Sequence, residues 1–272
     1  MAKRSRHEVL IKRIADSIDS CQSLLSHYTT FESACLILES KKIKYSNPLR
    51  VNDINESSRT IFTNPKMLEY YDDIVERISH YRQISLTQNG KRMCYDIPAM
   101  WGHYADKGNG VCLLFDKKAF LSKLSDKEWS GRIRYVEYSS QDIVLNRSID
   151  ELPSEIESNK QSIFFEKTKD WSYEQEYRII KCFDSKEDEY LEIIPNALLA
   201  IILCSRYSPD AIDPITHIHE RILSNISNAP ILFYEQQLLQ GTYGLKYQDE
   251  KGKSHFYSDR NCDTINRHID LD

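Results

Sequence analysis

The stretch "LLSHYTTFESACLILESKKIKYSNP", residues 24–48, reads as strand, helix, strand, and this order sets how the rest of the chain is read. Leu24 and Leu25 feed a short extended piece. Thr29 or Thr30 caps the helix that follows, with Glu32 three residues after Thr29 as in a capping box. Phe31, Cys35 and Leu38 mark the buried face of that helix. Ile43 and Tyr45 then alternate in a strand that Asn47-Pro48 ends. Upstream, Val9, Ile11, Ile14, Ile18, Cys21 and Leu25 recur near helical spacing, which predicts an amphipathic helix over about residues 7–25.

Downstream the same two periodicities alternate irregularly. Leu68, Tyr71, Val75 and Ile78 predict a helix, and "RQISLTQ" a strand closed by the Asn89-Gly90 turn. A Gly108-Asn109-Gly110 turn precedes the apolar run Val111 to Phe115, which reads as a buried strand. A short helix (117–125), a strand (132–138) and a polar helix running from Pro153 towards Lys169 come next. "EYRIIKCF", "YLEIIP" and "AIILCS" are strand candidates; a helix is read over 209–226; "ILFYEQQL" and "GLKY" supply the last strands. Without the regular alternation of a doubly wound sheet, the pattern predicts α+β: one domain over residues 1–272, with a split, largely antiparallel sheet flanked by helices. The loop at 139–153 reads as an insertion.

Composition narrows function mostly by exclusion. With 36 basic and 41 acidic residues, net charge −5, the chain has no global electrostatic footprint for nucleic acid, and any such contact needs a local basic patch. Lys3, Arg4, Arg6, Lys12 and Arg13 read as a solvated basic tail. Seven cysteines without a C-x-x-C pair read as buried reduced thiols. No run has the length of a membrane span or the apolar core of a signal peptide, so a cytoplasmic protein without membrane contact is expected. The absence of G-x-G-x-x-G and G-x-x-x-x-G-K-[ST] removes Rossmann, kinase and P-loop readings, and no G-x-S-x-G elbow is present. In "HIHE", His217 and His219 would point apart on a helix, so no metal is expected there.

Four polar stretches carry more than structure asks of them. His27-Tyr28-Thr29 ends a strand at a helix cap, where ring and hydroxyl groups can read a ligand's hydroxyls. Asn52-Asp53 with Glu56 is locally an Asx-type turn before a helix. Trp101-Gly102-His103-Tyr104-Ala105-Asp106 gathers large amphipathic side chains that stack on a planar ring or pack a core. In "WSYEQEYRII", residues 171–180, Glu174, Glu176 and Arg178 share a face if the segment is extended, the carboxylates about 7 Å apart. There, either Arg178 neutralises Glu176 in a rim ion pair of little consequence, or the carboxylates hold a sugar hydroxyl and stabilise an oxocarbenium-like centre.

Together "HYT", "NDxxE", "WxHYAD" and "WxYExEYR" resemble a bacterial domain family of unknown function found in anti-phage and abortive-infection settings, over about Leu25 to Tyr247. That family is in turn similar to ADP-ribosyltransferases. The resemblance implies an ADP-ribosyltransferase-like fold and NAD as a substrate. In that light His27 contacts the NAD ribose, Glu176 is the catalytic carboxylate, and Glu174 is its partner in a Glu-x-Glu pair. Tyr104 or Tyr45 becomes the candidate to stack on nicotinamide, and Tyr28, Thr29, Asn52, Trp101, His103 and Arg178 complete the expected nucleotide site. The implied activity is ADP-ribosyl transfer to an unidentified acceptor, nucleic acid or protein, in phage defence or as a toxin. Two rivals stand beside it: a non-catalytic module sensing a nucleotide or phage component, and a glycosidase or nuclease-like hydrolase built on Glu174, Glu176 and the Asp53/Glu56 cluster.

Overall fold

The computed structural model describes residues 24–48, 71–137, 151–183, 189–193, 197–204, 231–237, 242–248, 254–257 and 269–270. The basic N-terminus, helix residues 7–23, Asn52, Asp53, Glu56, loop residues 139–150, the 209–226 helix and the "HIHE" motif lie outside them. The described strands are β1 (Leu24–Thr29), β2 (Lys42–Lys44), β3 (Tyr81–Gln88), β4 (Val111–Asp116), β5 (Glu128–Arg132), β6 (Arg134–Val136), β7 (Glu166–Thr168), β8 (Glu176–Cys182), β9 (Tyr190–Glu192), β10 (Leu198–Cys204), β11 (Ile231–Gln237), β12 (Thr242–Gln248), β13 (Ser254–Tyr257) and β14 (Ile269–Asp270). The helices are α1 (Phe31–Ser40), α2 (Tyr71–Ser79), α3 (Pro98–His103), α4 (Lys117–Leu121), α5 (Leu152–Ser158) and α6 (Lys160–Phe164), with 3-10 turns at Asp106–Gly108 and Lys169–Glu174. The fold is α+β with a largely antiparallel sheet, as the irregular mixture of periods predicts. No described helix is long and apolar enough to cross a membrane.

The chain gathers into two compact units. The first takes residues 1–42, 86–123 and 192–272. Its strands run in the order β14-β13-β12-β11-β10-β4-β1, with the end of β3 beyond β1. Only β10 and β11 pair in parallel among the described partners. β4 lies between β1 and β10, and its run Val111 to Phe115 is wholly inaccessible, which is why it reads as an unbroken apolar segment rather than an alternation. β1 and β4 match residue for residue from Leu24 against Asp116 to Thr29 against Val111. Gly110 is required at the mouth of β4, because a Cβ there would sit 2.3 Å from the Thr29 carbonyl oxygen and 2.7 Å from the Ala105 backbone.

α1 starts where the local chemistry asks, through the second of the two candidate threonines. Thr29 is the last residue of β1, and Thr30 is the cap, its Oγ1 accepting from the Ser33 amide at 3.2 Å. The Thr29–Glu32 capping box therefore does not form, because Thr29 is committed to pairing with Val111. Ala34, Cys35, Ile37 and Leu38 are buried, and Lys41 closes the helix in the left-handed region.

The second unit takes residues 43–85 and 124–191. Its sheet is β3-β8-β5, and β6 pairs in parallel with β7. Ile78, Tyr81, Ile133, Leu152, Ile156, Ile163, Phe164, Phe165 and Ile180 form its core, each large side chain contributing about 1.5–3 kcal/mol by leaving water. Two boundaries differ from the sequence reading. The single strand expected at 132–138 is two, because the chain changes partner at Ile133. Its amide donates to the Glu176 carbonyl, and the next amide, of Arg134, donates to the Phe165 carbonyl. The polar helix expected to run towards Lys169 ends at Phe164, after which β7 and the 3-10 turn carry buried charge.

Candidate functional site

In the second unit the "WSYEQEYR" motif lies across a corner rather than along a strand. Glu174 ends the 3-10 turn, Gln175 is left-handed (φ 48°, ψ 42°), and Glu176 opens β8. The extended spacing assumed for the two glutamates is therefore corrected, since a left-handed residue separates them. They converge all the same, because a third residue gathers them. Lys167, the middle residue of β7, places its Nζ 2.7 Å from Glu174 Oε2 and 2.9 Å from Glu176 Oε2. Arg178, two residues along β8 and on the same face as Glu176, grips that carboxylate with both arms. Its Nε donates to Oε1 at 2.8 Å and its Nη2 to Oε2 at 2.9 Å, while Nη1 donates to the Phe164 carbonyl at 2.6 Å. The Glu176 amide donates to Tyr135 Oη at 2.8 Å.

This is no rim pair. Arg178 is 1% exposed, Glu176 4% and Glu174 2%. Burial by itself would raise the Glu176 pKa, but the charges and hydrogen bonds of Arg178 and then Lys167 outweigh it and hold the carboxyl at about 2. The group is ionised across the physiological range. Trp171 and Tyr173, on the preceding turn, lie with ring centroids 6.2 Å apart, and the Lys167 ammonium stands 5.4 Å from the Trp171 ring. Tyr45, in the same unit, is buried against Phe183 at 5.1 Å with no hydrogen-bond partner for its hydroxyl among the described residues. Lys167 was missed by sequence reasoning. Its segment, "FFEKTKD", has the polarity of a solvated helix, and only the buried strand around it marks the lysine as special.

The first unit holds the other candidates. Along β1 the side chains alternate: Ser26 and Tyr28 face inwards, and both donate to the Cys94 carbonyl at 2.8 Å. His27 and Thr29, half-buried, belong to the opposite face. Trp101 is enclosed, with its ring parallel to Tyr234 at 5.3 Å, Tyr28 edge-on at 5.2 Å, and its indole N–H donating to the Tyr95 carbonyl at 2.9 Å. Tyr234 Oη in turn donates to Asp96 at 2.7 Å. Trp101 thus packs the core of its unit. His103 is exposed at the end of α3, with Tyr104, half-buried, 6.4 Å away between ring centroids. Burial pushes the Cys94 thiol up to about 12 and the Cys112 thiol well above its usual value.

These features define an α+β protein whose polar motifs sit partly in a buried acid–base quartet and partly on a central strand. Residues 100–179, from α3 into β8, match a family described as a protein of unknown function, DUF2971. The match takes in Trp101, His103, Tyr104, Glu174, Glu176 and Arg178 and is shorter than the span expected from the motifs. Neither the curated proteins nor the solved structures contain a match to the chain.

Proposed function

We propose that the chain transfers ADP-ribose from NAD to an unidentified nucleic-acid or protein acceptor in the cytoplasm, in anti-phage defence or as a toxin. One observation carries this reading, the state of Glu176. A carboxylate offers about four acceptor positions. Three described donors occupy it, with Arg178 Nε on Oε1 and Arg178 Nη2 and Lys167 Nζ on Oε2. Among the described residues one position on Oε1 is left for a ribose hydroxyl, on a charge whose direction is set before the substrate arrives. The C–N bond to nicotinamide breaks with its electron pair leaving on nicotinamide. The ribose carbon gains oxocarbenium character beside the carboxylate, and the acceptor attacks that carbon and gives up its proton.

The test is label transfer and nicotinamide release from NAD by the full chain over DNA, RNA and protein acceptors, with Glu176→Gln beside it. Turnover lost by about 100-fold or more in Glu176→Gln is expected, the usual size for removing a charge-stabilising group. Absence of turnover with every acceptor, together with biological activity kept by Glu176→Gln, refutes it.

A second reading draws on a different property of the same quartet. Two carboxylates and two cations cancel, which suits a structural cluster in a non-catalytic module that senses a nucleotide or phage component. That reading expects thermal stabilisation by NAD without turnover, and greater loss of function from Tyr104→Ala than from Glu176→Gln.

A further inference from the structure

Beyond naming Glu176, the geometry of the corner raises the question of what keeps two glutamates together. Glu174 and Glu176 belong to different elements, a 3-10 turn and a strand, separated by a left-handed residue. Nothing in the backbone periodicity makes their carboxylates meet. Arg178 holds Glu176 with two of its nitrogens and the Phe164 carbonyl with the third. Lys167 comes from a third element, β7, and is the described cation in reach of both.

We propose that Lys167 is a positioning residue for this site: its buried ammonium, shared between Glu174 and Glu176, holds the two carboxylates as one acidic pair and sets the orientation in which Glu176 is presented. The kinetic part of this proposal rests on the transferase reading; the structural part does not. Facing Lys167 are Glu174, Tyr173 and the Trp171 ring from the 3-10 turn, Glu176 from β8, which also carries Arg178, and Tyr135 from β6. Two carboxylates and two cations balance. Remove the ammonium and two negative charges remain near one another, buried, with a single guanidinium on Glu176. Carboxylates in that position share a proton rather than both ionise. An arginine at 167 keeps the charge, whereas a methionine keeps only the length.

The experiment compares wild type, Lys167→Met, Lys167→Arg and the double variant K167M/E174Q in two ways. The first is the pH profile of NAD turnover. The second is the carboxyl titration of the glutamates, followed by carbon NMR on glutamate-labelled protein, which needs no turnover. Lys167→Met is expected to move the acidic limb of the profile towards neutrality by about one unit or more, with activity returning at higher pH, and to add a glutamate titrating in that range. Lys167→Arg is expected to return the titration to that of wild type, and K167M/E174Q, also without excess charge, to lose the added glutamate that titrates towards neutrality. Identical glutamate titrations in wild type and Lys167→Met overturn the proposal, as does a loss of activity that is the same at every pH. Should Lys167→Met not fold, the double variant decides: a folded protein without a glutamate titrating towards neutrality supports the pairing role, and failure to fold overturns it. Wild type without turnover removes the transferase reading and leaves the NMR comparison to judge Lys167 alone.

Discussion

Glu176 and Arg178 are the pair on which most of the chemistry turns, and their burial makes the pair asymmetric under mutation. Arg178→Met leaves a buried carboxylate with one ammonium to share with Glu174, and breaking a buried pair in this way costs about 3–5 kcal/mol. Urea unfolding of the variant measures it. Glu176→Gln is expected to cost less, because Lys167 keeps Glu174 and Arg178 keeps the Phe164 carbonyl. Thiol chemistry gives a second check at this scale. Cys182 is exposed at the end of β8, whereas Cys94 and Cys112 are buried with their thiols pushed up. Alkylation at about pH 8, read by mass spectrometry, is expected to label Cys182 in the folded protein and Cys94 and Cys112 only on unfolding.

Among the elements, the turn into β4 and the start of α1 are the places where single atoms decide structure. Gly110→Ala drives a methyl into the Thr29 carbonyl and the Ala105 backbone, so one of these backbones must shift, and a loss of about 1–3 kcal/mol is expected in thermal or chemical unfolding. Thr30→Ala removes the α1 cap and is expected to cost about 1 kcal/mol, while Thr29→Ala spares the cap. Elements also account for where sequence reasoning went astray. From Pro153 towards Lys169 the pattern reads as one polar helix, but Glu166, Lys167 and Thr168 are buried in β7. Their charges are matched by partners on other elements, Glu166 by Arg134 and Lys167 by Glu174 and Glu176, and polarity along the chain carries no record of such matching.

For the molecule as a whole, the quartet sets part of the pH dependence of stability. An unfolded glutamate titrates at about 4.3, whereas Glu176 is held at about 2 in the fold. A lowered folded pKa contributes stability that is complete above the unfolded value and is lost as pH falls through that value towards the folded one. Glu176 is therefore expected to contribute on the order of 3 kcal/mol above about pH 5, falling away towards pH 2. Glu176→Gln should flatten the acid limb of the stability curve in that window, measured by urea midpoints across pH. A curve for this variant parallel to wild type would show that the pair is not coupled to folding.

By itself the sequence determined the α+β class, the order strand, helix, strand at residues 24–48, the central buried strand at 111–115, and Glu174, Glu176 and Arg178 as the residues to watch. All of these follow from local periodicity, turn chemistry or the density of polar groups within a few positions. Only the tertiary structure decided that the glutamates meet across a left-handed corner, that Arg178 is buried rather than on a rim, that Trp101 spends its ring on Tyr28 and Tyr234, and that Lys167 belongs to the site at all. The reason is the same in each case. Burial and ion pairing are set by how separate elements pack, whether their residues are a few positions apart across a corner or far apart in the chain, and the free energy of a charge depends on those contacts.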